Sequence, residues 1–339
     1  MRVVPRLLQP IFTLASVLTL AAGQADQAES SFRVGNRFFD AGQFTNAVDM
    51  YTRALEQNAQ DARAYFNRAL ANEMVDRKAA IRDWRQFLDL AGGNPTWKAA
   101  VSQVRDRLQT LERMPALPSS LQPSEYSPKS GDYFQEVAQS SKGLQFTTFP
   151  VKIFVGSVPR GWQGALRKAL DAWIQVFPLE EVDSREAADI VLSWETLTKG
   201  SQWGLSADKD ARRPGREKDW VQVVKEDDGT IAKRTKIAFV TLDSSHHWSE
   251  EQKRATALHE IGHALGIQGH SDRPGDVMFG TIQETLTEVA NQGAVTSPPQ
   301  YGPPPARTSP SLPQKPGPRD VNTLIRLYNS PGPLTRLGG

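Results

Sequence analysis

Apolar positions change their period several times along this chain of 339 residues, and each change predicts an element. Val151-Lys-Ile-Phe-Val155 alternates, as a strand with one buried face does. Gly161 to Val176 places Leu166, Leu170 and Trp173 at helical spacing, and Ala188 to Trp194 returns to strand. Trp220 to Leu242 reads as a hairpin that turns at Asp227-Asp228-Gly229, with Ile237 to Leu242 as its second arm. Ser249 with Gln252 forms a capping box, which opens a helix near Glu250. Asp320 to Asn329 carries Val321, Leu324, Ile325 and Leu327 and reads as a closing helix. Two stretches break the periodicity. Ser206 to Asp219 is mixed in charge and predicts a solvated loop; Ser297 to Pro318 is proline-rich and predicts a surface loop.

Residues 28–61 show a different pattern. Gly35, Phe38, Ala47, Tyr51 and Ala54 resemble the positions of a tetratricopeptide repeat, a helix–turn–helix unit of 34 residues. Small residues sit where two helices approach, and aromatics fill the gaps between them. A second unit starts near Ala62, with Tyr65, Ala69, Ala80, Trp84 and Phe87 in comparable places. Asn94 to Leu111 reads as a further helix, suited to covering the last apolar face of a stack. A generic helical hairpin domain is the alternative. From Met114 to about Gly143 the composition shifts to Pro, Ser, Gln and Gly, as in a linker.

The chemistry concentrates in Ala257-Leu-His-Glu-Ile-Gly-His-Ala-Leu-Gly-Ile-Gln-Gly-His-Ser271. His259 and His263 are four apart and share one helical face, so they can form half of a tetrahedral zinc site. Glu260 places a carboxylate beside that site, where it can take a proton from water. Gly266 can end the helix in a left-handed conformation and turn the chain back, bringing His270 to the metal. Three protein ligands with one open position is the pattern of a catalytic zinc. The bland alternative is an amphipathic helix with solvated histidines. His246-His247, just upstream, read as solvated, with a second metal site as the alternative.

This run resembles the metzincin zinc signature, and Glu-Ile-Gly-His-Ala-Leu-Gly is most similar to its matrixin branch. The resemblance covers roughly residues 146–330. It implies a zinc-dependent endopeptidase with a mixed sheet, an active-site helix, a Met-turn and a C-terminal helix. The third histidine stands four residues after Gly266 where the family has three, with Gly269 as the extra residue. Asp272 is therefore the alternative third ligand. Asp276-Val277-Met278-Phe279 is the Met-turn candidate, with a core-filling methionine as the alternative.

The expected fold class is thus α+β, with all-α repeats before a metzincin-like domain. The expected divisions are a signal peptide over 1–25, helical repeats over 28–113, a linker over 114–145 and a metallopeptidase domain over 146–330. Arg2 and Arg6 precede an apolar run from Leu7 to Ala22, and Gly23-Gln24-Ala25 offers a cleavage site. An exported protein, secreted or periplasmic, is the expectation; an uncleaved anchor is the alternative. Forty basic and 38 acidic residues give a net charge of +2, and residues 1–25 carry that excess. No basic footprint for nucleic acid remains. The chain has no cysteine, which excludes disulfides and a cysteine held on the zinc for latency.

The functional expectation is hydrolysis of peptide bonds through a zinc-activated water. Zn²⁺ would be held by His259, His263 and His270, and Glu260 would be the catalytic base. The partners are a protein or peptide substrate and a protein at the repeats. An inactive repeat scaffold with a structural zinc, or a zinc hydrolase of non-protein substrates, are the rival readings.

Overall fold

The computed structural model describes residues 14–195, 215–225, 231–243, 249–280 and 312–338. The chain divides into two compact units, residues 1–112 with 334–339, and residues 113–333. The expectations at Asp227-Asp228-Gly229, at His246-His247 and over most of the proline-rich stretch lie outside the described residues, as do residues 1–13 of the expected signal.

The first unit is helical. It contains α1 (Leu14–Asp40), α2 (Phe44–Gln57), α3 (Ala62–Asn72), α4 (Arg77–Ala91) and most of α5 (Lys98–Arg113). α1 and α2 form one pair, and α3 and α4 the next, as the repeat pattern predicts. Asp61 caps α3 by accepting from the amide of Arg63, and Asp76 caps α4 through the amides of Lys78 and Ala79. The repeat positions face inward: Ala47, Tyr51, Ala54, Ala69, Ala80, Trp84 and Phe87 are all buried. Phe66 packs edge-on against Trp84 and Phe87, with centroids 4.9 and 5.1 Å apart. Among the described residues no helix is long and apolar enough to cross a membrane.

The second unit holds a five-stranded mixed sheet in the order β2-β1-β3-β5-β4. Its strands are β1 (Val151–Val155), β2 (Leu179–Val182), β3 (Ile190–Glu195), β4 (Gly215–Lys225) and β5 (Ile231–Asp243). β1 pairs in parallel with β2 and β3, β3 pairs in parallel with β5, and β4 closes the edge antiparallel to β5. The mixed sheet followed by later helices is the α+β arrangement expected. β4 begins at Gly215, so residues 215–219, expected in a solvated loop, are paired strand. The four-residue α6 (Phe134–Val137) precedes the sheet; α7 (Gln163–Ile174), α8 (Glu250–Ala264) and α9 (Pro318–Asn329) are the other α-helices among the described residues of the unit.

Residues 114–145, expected as a linker, belong to the core of this unit. Leu121, Tyr133, Phe134, Val137 and Ala138 are buried in the cluster that also holds Leu258, Ile261, Leu324 and Tyr328. Asn322 of α9 grips the segment, accepting from the amide of Ser127 and donating to the carbonyls of Ser127 and Gly131. Proline and serine made the stretch look unstructured. Its backbone groups are satisfied by successive turns and by side chains distant in sequence rather than by a ladder.

Candidate metal centre

α8 carries the histidine pair. Ser249 accepts from the amide of Gln252, whose side chain accepts in turn from the amide of Ser249, so the predicted capping box sets the first turn. The helix then runs through the core: every residue from Ala255 to Gly262 is buried, and so is Ala264. Trp173 of α7 donates its indole N–H to the carbonyl of Leu258 at 3.0 Å. The helix ends at Ala264, with Leu265 as its C-cap. Gly266 (φ +108°) lets its own amide reach the carbonyl of His263 and that of Ile267 reach Gly262, a Schellman ending. Tyr328 of α9 caps the same end by donating to the carbonyl of Leu265 at 2.8 Å.

The turn beyond delivers the third histidine. The ligand nitrogens of His259, His263 and His270 all lie within 4.8 Å of one another, and they are the one such group among the described residues. Ring centroids are 4.7 Å apart for His259 and His263, and 5.3 Å for His270 with each of them. The extra residue, Gly269, has φ of +131°, a conformation that side chains resist. Asp272 takes another partner: it accepts from Arg319 at 3.0 Å, which holds its carboxyl below the usual range.

Two of the rings are fixed in tautomer. His259 Nδ1 lies 2.9 Å from the carbonyl of Val277, and His263 Nδ1 lies 2.7 Å from that of Ile267. A carbonyl only accepts, so each Nδ1 carries a proton, which leaves Nε2 as the ligand atom of a neutral ring. Burial pushes His259 down to about 4, so its ring is neutral near pH 7. Neutral, pre-aimed imidazoles are what a divalent zinc ion takes as ligands, and this donor set fits it. Glu260 is buried beside His259 in the sequence and on the helix.

The Met-turn candidate lies under the helix. Met278 is fully buried, and its sulfur sits so close to Gly262 that any side chain there would collide with it. The turn also aims a ligand, since the Val277 carbonyl is the one that His259 uses. It is anchored from α9. Asp320 accepts from the amide of Val277 at 3.2 Å, the amide of Gly317 at 2.7 Å and the hydroxyl of Tyr133 at 2.7 Å. Burial raises Asp320 to about 6. Beside it, Arg319 donates to Asp276 at 2.6 Å, and Asp276 accepts from Ser271 as well. Burial raises Asp276 too. The sequence reading saw Asp320 only as the start of a helix and missed its hold on the turn, along with Tyr133 and Tyr328. Pro318 at the first helical position and a carboxylate two residues on was the available signal.

Part of the chain matches a known family model. Residues 159–293 match the matrixin model. The matched segment contains α7, the four strands β2 to β5, α8, all three histidines and the Met278 turn. Matrixins are zinc-dependent peptidases, so this domain is of the metallopeptidase type. Residues 35–75 match the model of a TPR repeat, spanning the end of α1, all of α2 and α3, and the turn after it. No curated protein matches the chain.

Proposed function

We propose that the protein is an exported zinc-dependent endopeptidase, with His259, His263 and His270 as metal ligands and Glu260 as general base. The observation that carries this is the convergence of three imidazoles, two with Nδ1 committed to backbone carbonyls, inside the matrixin match; Glu260 follows the first of them in sequence and is buried. Zinc, when bound, supplies a Lewis acid that polarises water and the scissile carbonyl. Glu260 then does the proton work: it takes the proton from the attacking water and delivers it to the leaving amine. The burial of Glu260 removes competing solvent and strengthens that transfer. The carbonyls of Val277 and Ile267 keep His259 and His263 from rotating while this happens.

The helical unit is a module for protein partners, as tetratricopeptide-type repeats are. Export rests on Arg2 and Arg6, the apolar run to Ala22 and the small residues before Asp26. A retained Glu260 separates the enzyme from an inactive scaffold, which would tolerate its loss.

Glu260→Gln tests the assignment. The variant is expected to keep about one zinc per chain and to lose roughly 10²–10⁴-fold in peptide cleavage. His263→Ala is expected to lose the metal. Cleavage of a peptide library by Glu260→Gln at the wild-type rate, or wild-type zinc in His263→Ala, overturns the reading.

A further inference from the structure

The last described residues do not fray from the molecule; they belong to the first unit and lie on the face shared by α1 and α3. Asn67 of α3 takes both backbone groups of one residue. Its Nδ2 donates to the carbonyl of Leu337 at 2.9 Å, and its Oδ1 accepts from the amide of Leu337 at 2.8 Å. Asn36 of α1 donates to the carbonyl of Gly338 at 2.7 Å. The two asparagines are themselves set in place. Asn36 Oδ1 accepts from Asn67 at 2.9 Å and from the hydroxyl of Tyr51 at 2.8 Å, and all three side chains are buried.

An amide side chain that donates to and accepts from a single residue grips a peptide as a neighbouring strand would. That contact is blind to the side chain at the gripped position. Selectivity comes from the residues on either side. Arg336 forms a two-pronged pair with Asp40 of α1, Nε to Oδ1 at 2.7 Å and Nη2 to Oδ2 at 2.6 Å. Gly338 lies against the ring of Phe32: a Cβ there would stand 2.9 Å from the nearest ring carbon, and its φ of +69° already excludes most side chains. The face therefore reads arginine, then any residue with free backbone groups, then glycine.

We propose that α1 and α3 form a peptide-binding site for an Arg-x-Gly segment, and that residues 336–338 occupy it in cis and hold it shut to partner peptides of the same chemistry. A tethered ligand of this kind competes at an effective concentration on the order of millimolar. A partner reaches the site only when the tail is displaced. The proposal concerns the helical unit alone and does not rest on the zinc chemistry, so its failure leaves the peptidase reading as it stands.

The test measures fluorescence anisotropy with a labelled peptide of residues 331–339, capped at both ends. The full chain is compared with a chain lacking residues 334–339. The shortened chain is expected to bind the peptide at least about tenfold tighter than the full chain. Against that same shortened chain, a peptide carrying Gly338→Ala should lose binding and one carrying Arg336→Ala should weaken it about tenfold, so misfolding of a variant cannot mimic the result. Asn67→Ala in the shortened chain should abolish binding. Equal affinity of the full and shortened chains, or of the glycine and alanine peptides, overturns the proposal.

Discussion

The two units differ in how they satisfy many of their buried polar groups. In the helical unit the groups pair mainly with other side chains. Arg107 meets Glu73 through two bonds of 2.6 Å, and Trp84 donates to the same carboxylate at 3.0 Å. Arg68 forks onto Asp83 at 2.9 and 2.7 Å, and Asn72 joins it. In the second unit, beside pairs such as Arg319 with Asp276, many reach for backbone. His259, His263, Tyr328, Asn322, Asn329 and Asp320 all bond to amides or carbonyls. The cause is the secondary structure. Helices satisfy their own backbone, so polar side chains buried between them must find one another. The second unit folds long irregular segments, whose backbone groups would otherwise be orphaned. A zinc site built by such a unit inherits fixed ligands at no extra cost, because the same bonds that complete the loops aim the rings.

Breaking each kind of bond separates the two cases. Glu73→Ala leaves Arg107 buried without its carboxylate and should cost about 3–5 kcal/mol of stability in urea denaturation. A loss below about 1 kcal/mol would mean that the helical unit does not depend on such pairs. Asp320→Asn keeps an acceptor for Val277 but removes a charge that burial makes costly. Its carboxyl is raised from 3.8 to about 6, so the folded wild type binds a proton that the unfolded chain has already lost. That contribution is fully present below about pH 4 and disappears as the pH rises through 6. It amounts to on the order of 3 kcal/mol at about 1.4 kcal/mol per pH unit. Thermal melts from pH 4 to 7 should show this decline in wild type and a flatter curve in the variant; parallel curves would refute it. Tyr328→Phe strands the Leu265 carbonyl at the end of α8 and should cost about 1–3 kcal/mol. A zinc dissociation rate that rises in the same variant would sharpen the link between loop bonding and ligand placement.

What could be read from the sequence follows the same divide. The capping box at Ser249, the histidine spacing, the glycine after the helix and the small and aromatic positions of the repeats are local signals. Each fixes structure within a few residues of itself. Tyr133 acts through Thr323 and Asp320, and Ser127 through Asn322, across nearly two hundred positions. No period in the segment 114–145 marks residues whose partners lie so far along the chain. β2 escaped for a different reason: Leu179-Glu-Glu-Val182 has an apolar residue only at each end, too little for an alternation.

The carboxylate of Asp320 ties together two parts of this chain that are far apart in sequence. One of its oxygens holds the amide of Val277, just before residues 281–311, and the amide of Gly317, just after them. Both ends of that stretch are thus anchored to a single point within the core. Loss of that one oxygen would release both flanks together: Val277, whose carbonyl aims His259, and Gly317, where α9 begins.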